Sequence, residues 1–344
     1  MDSSHGAIFE QGKQSIKVPI PVYIRSGASV VGTKEGAGPL GNLFDMVGVD
    51  DKFGCDTWEE AESTLQKEAL QLAIGKAGLT NKDIRFMFAG DLLGQSIASS
   101  FGLGGFGIPL MGMYGACSTC GLSLAAATIV IAGGMAEYAA CVTSSHFASA
   151  EKEFRYPLAY GNQRPLSATW TVTGSGAFVV SSVKGEKDRA VITGITIGKI
   201  VDMGLKDSMN MGACMAPAAG STIYQHMADF GTKPSDYDKI ITGDLGSVGQ
   251  QALLDMLKEK GVDISKVHMD CGIEIYDKSQ DAHAGGSGCG CSAVTLAAYV
   301  LTQLENKKWK RVLFVPTGAL LSKTSFNEGQ SIPGIAHAIE LISP

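Results

Sequence analysis

Tyr114-Gly115-Ala116-Cys117-Ser118-Thr119-Cys120-Gly121 is the stretch on which the fold turns, and the chain continues from it as Leu122-Ser123-Leu124-Ala125-Ala126-Ala127 toward Gly133-Gly134. Small residues allow a tight turn at Gly115, and the pattern then predicts a helix stopped by the glycine pair. No charged side chain falls on that helix, so it is expected to be buried all round. Cys117 stands at its start, where free N–H groups and the helix dipole favour a thiolate. Two readings of the cysteine stay open here: a nucleophile, or a small buried hydrophobe.

Working outward, the surrounding elements occur twice. In the first half, an amphipathic helix over Trp58–Ala77 precedes a short apolar strand, Ile84–Ala89, that ends in Gly90-Asp91-Leu92. The strand Pro109–Met113, the Cys117 helix and a strand at Tyr138–Thr143 follow, and Gly174-Ser175-Gly176 opens the strand Ala177–Ser181. In the second half a helix is predicted after Pro217, and the strand Tyr237–Thr242 ends in Gly243-Asp244-Leu245. The turn Gly285-Gly286-Ser287-Gly288-Cys289-Gly290-Cys291 then leads into the small-residue helix Ser292–Leu304 and the strand Arg311–Val315. The shared order marks a duplication. It implies an α/β protein, a layered α/β/α/β/α sandwich of two βαβ-type halves over 1–190 and 191–344.

Composition narrows the function classes. With 44 glycines, 45% hydrophobic and 18% charged residues, the chain reads as a folded α/β protein rather than a disordered one. A net charge of -6 and the absence of a Lys/Arg run argue against nucleic acid. Eight cysteines behind a polar start, Met1-Asp2-Ser3-Ser4-His5, suggest a reducing, cytoplasmic fold without a signal peptide. No apolar run reaches the roughly 18 residues of a membrane span. Cys117-x-x-Cys120 with Cys289-x-Cys291 offers four sulfurs, but the helical setting and short spacing argue against structural zinc.

The cysteine turn Tyr114–Thr119 resembles the nucleophile turn of thiolases and ketoacyl-acyl-carrier-protein synthases. Val172-Thr173-Gly174-Ser175-Gly176-Ala177 is similar to the glycine-rich hairpin closing their first half, and Met211-Gly212-Ala213-Cys214-Met215-Ala216-Pro217-Ala218 to a thiolase segment. Gly318-Ala319-Leu320 sits where their last glycine loop lies. Such enzymes need a base and oxyanion donors around the cysteine. The family's first base position falls at Asp244, and the second near Ser287 or Gly286; neither is histidine, although His283 stands just upstream.

A narrower resemblance, to the spore-forming branch of this superfamily, is carried by Ala89-Gly90-Asp91-Leu92-Leu93, Thr143-Ser144-Ser145-His146, Phe154-Arg155-Tyr156-Pro157 and Ser331-Ile332-Pro333. It implies a protein without catalytic residues that binds dipicolinic acid (pyridine-2,6-dicarboxylate) or its calcium chelate and assists uptake into the developing spore. The expected partners are other stage V sporulation membrane proteins, which would hold the chain peripherally at the spore inner membrane. A homodimer paired through Pro109–Met113 and no cofactor are also implied. The expected ligand pocket is bordered by Asp91, Cys117, His146, Asp244, Ser287 and Gly318, under a Glu151–Arg164 lid whose Arg155 and Arg164 offer forks for carboxylates. Asp91 and Asp244 end equivalent strands, so calcium bridging dipicolinate to Asp91 is a further expectation. The competing readings are an active condensing enzyme using Cys117 and a scaffold that uses the fold only as a surface.

Overall fold

The computed structural model describes residues 9–154, 159 and 163–344. Its organising strand is β1, Ser15–Val31, which is long enough to serve two neighbours. Pro19 and Pro21 have no N–H to give a ladder. The pairing of β1 with a later strand accordingly slips between Lys17 and Val22. Beyond the slip, Tyr23–Val31 pairs on its other side with the strand Gly174–Ser181.

The first half contributes α1 (Trp58–Lys76), β2 (Phe86–Gly90), β3 (Leu110–Gly112), α2 (Thr119–Ala132), β4 (Tyr138–Ser145), α3 (Phe147–Phe154) and β5 (Gly174–Ser181). The second contributes β6 (Ala190–Thr196), α4 (Met211–Phe230), β7 (Lys239–Thr242), α5 (Gly246–Glu259), β8 (His268–Asp270), α6 (Cys289–Thr295), β9 (Arg311–Val315) and β10 (Ala338–Ile342). The main strands order as β8-β7-β9-β10-β6-β1-β5-β4-β2-β3. From either end the sheet opens with three mutually parallel strands and continues antiparallel to the β6–β1 junction. That palindrome is the duplication in three dimensions.

Helices fill the layers as the apolar pattern requires. α1 starts on a reciprocal cap: Thr57 Oγ1 accepts from the Glu60 N–H at 3.2 Å, and Glu60 Oε2 accepts from the Thr57 N–H at 3.1 Å. Its Leu65, Ala69 and Leu70 join Met87, Val142 and Val179 in an outer core. α4 and α5 pack Met215, Ile223, Leu253 and Leu257 into the opposite outer core. Between them, α2 and α6 bury Leu124, Ile131, Ala293 and Val294 with Phe88, Phe178 and Phe314. Three cores separated by two half-sheets give the five expected layers.

Small residues make the central layer possible. A Cβ at Gly176 would lie 2.6 Å from the Ala293 Cβ, so β5 and α6 touch backbone to backbone. One boundary differs from the pattern: α4 begins at Met211 and runs through Pro217 rather than starting after it. An interior proline costs about 3 kcal/mol, which the buried run Cys214–Gly220 offsets through packing. Ser144–Thr173, which shows no period, contains α3 and a short strand at Trp170–Thr171. Among the described residues no helix is long and apolar enough to cross a membrane.

Candidate functional site

Cys117 sits in a locked turn immediately before α2. Ala116 has φ of +50°, a left-handed conformation that non-glycine residues adopt at a cost. Hydroxyls hold it there: Ser118 Oγ donates to the Gly115 carbonyl at 2.6 Å, and Thr119 Oγ1 donates to the Ala116 carbonyl at 2.6 Å. Gly318 closes against the turn; a Cβ there would stand 2.4 Å from the Gly115 oxygen. The turn therefore keeps the shape that presents a nucleophile.

Its electrostatics oppose one. Asp244, 1% exposed, follows β7 and faces the thiol. Its Oδ1 accepts from Thr317 Oγ1 at 2.6 Å, and its Oδ2 from Ser287 Oγ at 3.0 Å and the Gly288 N–H at 2.9 Å. Burial pushes the Cys117 thiol well above the usual range, and the Asp244 charge and its hydrogen bond with the thiol act in the same direction. Burial and the facing carboxylate thus disfavour the thiolate that a helix start would favour. Burial also raises Asp244, while its four hydrogen bonds pull the other way. The chamber between Cys117, Phe154, Met211, Ser287 and Leu321 measures about 30 Å³. That is room for about one water.

Of the residues expected at one pocket, the structure brings together Cys117, Asp244, Ser287 and Gly318. Asp91 is elsewhere engaged. Its oxygens accept from the Leu93 N–H at 3.0 Å, the Ser99 N–H at 2.9 Å and Ser99 Oγ at 2.6 Å, so it ties down the loop after β2. Burial and the nearby Asp91 push Glu62 up to about 8. Among the described residues no group of three or more His, Cys, Asp or Glu is placed to hold a metal ion. His283 lies on a loop with Nε2 3.0 Å from Asp281 Oδ1 and Nδ1 2.8 Å from the Pro165 carbonyl, and it does not line the cysteine chamber. Arg155, expected in the lid, lies outside the described residues.

His146 faces a different cavity. Its Nε2–H donates to the Asp51 carbonyl at 2.7 Å and its Nδ1 accepts the Ala148 N–H at 3.1 Å, which fixes the neutral ring. Burial also holds its pKa below the ordinary value. The ring joins Lys34, Glu35, Trp58, Phe147 and Trp170 around a space of about 360 Å³. Phe147 stacks on Trp170 with ring centroids 3.8 Å apart. Lys34 Nζ lies 4.1 Å and the Arg164 guanidinium 4.7 Å from the Trp170 ring centre. Arg164 also donates to the Asp281 carbonyl at 2.8 Å.

Sequence reasoning passed over Lys34, Glu35, Trp58 and Trp170. They come from separate segments with no shared motif, so nothing in the sequence marked them as neighbours.

Fold and cysteine turn together define a protein with the fold of thiolases and ketoacyl synthases. The structure is similar to the tetronic acid condensing enzyme AbyA1, with a TM-score of 0.58 and 16% identity over 93% of this chain and 99% of that one. It is similar to 3-oxoacyl-[acyl-carrier-protein] synthase III from Aquifex aeolicus VF5, with a TM-score of 0.57 and 14% identity over 93% and 99% of the two chains. At such identities the likeness concerns the fold alone.

Sequence takes the assignment further. The family model for stage V sporulation protein AD (SpoVAD) matches residues 12–342, and the chain belongs to that family. It is 44% identical over 330 residues to stage V sporulation protein AD of Bacillus subtilis (strain 168), covering 95% of this chain and 96% of that protein.

Proposed function

We propose that this chain is a non-catalytic binding protein of spore formation that takes dipicolinic acid, alone or as its calcium chelate, and assists its uptake into the spore. Membership of a sporulation family supports the biological setting. The observation that carries the non-catalytic reading is Asp244, a buried carboxylate held by three donors against the Cys117 thiol where a condensing enzyme needs a base. Calcium would arrive as part of the cargo. The two carboxylate oxygens of Asp91 are already committed to Leu93 and Ser99.

A homodimer is part of the proposal. β3 forms one end of the main strand order, and Leu110, Met111 and Tyr114 are 42%, 44% and 48% exposed there. An exposed apolar edge invites strand addition by a second copy. Other stage V sporulation membrane proteins are the proposed partners that bring the chain to the spore inner membrane.

Calorimetric titration of the full chain with dipicolinate, with and without calcium, tests the binding. Saturable binding is expected, and its absence under both conditions removes the proposal. The preserved cysteine turn favours the second reading, an acyl-thioester condensing enzyme. Intact-mass measurement after incubation with acetyl- and malonyl-coenzyme A is expected to show no adduct. A stoichiometric adduct that vanishes in Cys117→Ala would establish that second reading instead.

A further inference from the structure

The cavity beside His146 has a composition that acyl transfer does not require. Trp58, Phe147 and Trp170 provide apolar ring walls, and its volume of about 360 Å³ suits a small organic molecule. The Cys117 chamber, at about 30 Å³, is too small for a six-membered ring. Lys34 reaches the cavity with one N–H donated to the Gln280 carbonyl and its ammonium over the Trp170 ring, and among the described residues that ammonium makes no other hydrogen bond.

Glu35 supplies the second observation. It is 1% exposed, yet it lines the cavity. Its Oε1 accepts both the Thr173 N–H, at 3.0 Å, and the Tyr276 hydroxyl. Its Oε2 has no hydrogen-bond partner among the described residues. Buried polar atoms are nearly always paired, so an oxygen left over on a residue of the cavity wall marks a place that a polar partner would satisfy. With both donors on Oε1, that oxygen has carbonyl character, and a proton on the carboxyl belongs on Oε2.

We propose that this cavity binds a small flat aromatic carboxylate, its ring between the Trp58 and Phe147 walls and its carboxylate received by the Lys34 ammonium and the Glu35 Oε2–H. Naming dipicolinate as the guest rests on the function proposed above; the site itself does not.

The surroundings of Glu35 give the proposal a pH dependence. Among the described residues, Lys34 from its own turn, Asp51 and Lys52 from the following loop, Glu59, the neutral ring of His146, the Arg164 guanidinium, Tyr276 and Asp281 are the titratable and charged groups around the cavity. Burial, aided by Asp51, raises Glu35 to about 7, against the hydrogen bonds from Tyr276 and Thr173. Below that pH Glu35 donates to the guest carboxylate; above it a carboxylate repels one. Affinity therefore falls as pH rises through the range.

Dipicolinate, picolinate and benzoate are titrated against the full-length protein at pH 6 and pH 8, following tryptophan fluorescence and heat. Circular dichroism checks that each variant is folded. The native protein is expected to bind dipicolinate with quenching of its tryptophans and at least fivefold weaker at pH 8. Lys34→Met should lose at least tenfold at both pH values. Glu35→Gln places an amide N–H where the O–H was, so it should keep the pH 6 affinity and lose the pH dependence. Native binding of dipicolinate undiminished in Lys34→Met overturns this site and leaves the proposed function standing. Binding of benzoate or picolinate but not dipicolinate, with the same response to the variants, upholds the site and removes dipicolinate as its guest. If none of the three acids binds, the site is overturned.

Discussion

Asp244 at the cysteine turn and Glu35 at the neighbouring cavity are both fully buried acids, and they are used in opposite ways. Asp244 accepts from Thr317 and from Ser287 and Gly288, one oxygen for each side, and the thiol occupies what remains. Glu35 concentrates both of its donors on Oε1. Beside the Cys117 thiol only about 30 Å³ of space remains, whereas Glu35 borders a cavity of about 360 Å³. The difference teaches where to look for function: a buried acid whose oxygens are all satisfied by its own fold is a fastener, and one left with a spare oxygen beside a cavity is equipped to receive a molecule.

The comparison breaks most visibly under truncation. Asp244→Ala strands buried donors on Thr317, Ser287 and Gly288, each worth about 1–3 kcal/mol when left unpaired. Urea unfolding should register a loss of roughly 4 kcal/mol, and a loss below about 1 kcal/mol would mean that Asp244 fastens nothing.

Glu35→Gln tests the other acid through pH. Glu35 titrates near its ordinary value when unfolded and at about 7 when folded. The folded state therefore binds more protons over that interval, and native stability declines as pH rises through it. Glu35→Gln removes the decline. Its stability relative to the native protein should grow between about pH 4.5 and 7, reaching on the order of 3 kcal/mol at pH 7.5. A difference that is flat across that range would place Glu35 outside this account.

Two smaller effects sharpen the contrast. Replacing Asp244 with Asn keeps much of the shape but removes the charge facing Cys117, so the thiol pKa should fall. Peptide-mapped iodoacetamide labelling at pH 8 should find Cys117 about tenfold more reactive for each unit of that fall. Unchanged labelling would assign the silence of the thiol to burial alone. Lys34→Met, at the half-buried edge of the open cavity, should alter unfolding stability by less than about 1 kcal/mol. A larger loss would make Lys34 a fastener as well.

The duplication was legible because Gly90-Asp91-Leu92 and Gly243-Asp244-Leu245 recur in matching surroundings, and glycines needed for close approach, such as Gly176 and Gly318, leave a plain mark. The cysteine turn, Asp244, Ser287 and Gly318 could be placed together on that basis. His146 could not be assigned correctly from the end of its strand. Successive side chains at a strand end turn to opposite sides. Ser145 Oγ accepts from the Gly290 N–H at 3.1 Å on the α6 side, while His146 enters the other cavity. The equivalence of Asp91 and Asp244 likewise holds for the backbone only. What each carboxylate meets depends on Ser99 in one half and on Thr317 and Ser287 in the other. Lys34, Glu35, Trp58 and Trp170 have no local pattern; only tertiary folding makes them neighbours.

The proline-slipped strand β1 has a consequence for biosynthesis. Ser15–Val31 leaves the ribosome early, yet apart from short pairings with Glu10–Gln11 and Met46–Val47 its partners are Gly174–Ser181 and Ala190–Thr196. Most of the first half must therefore be made before this strand finds its first main partner, and the second follows only when β6 is complete. Until then most of the strand waits without its long partners, with loop closures of well over a hundred residues still to be made. Its two prolines interrupt the very stretch that would otherwise offer a continuous edge to a neighbouring nascent chain. The same irregularity that lets one strand bridge two half-sheets thus removes two N–H donors from the edge it would present while the rest of the protein is being synthesised.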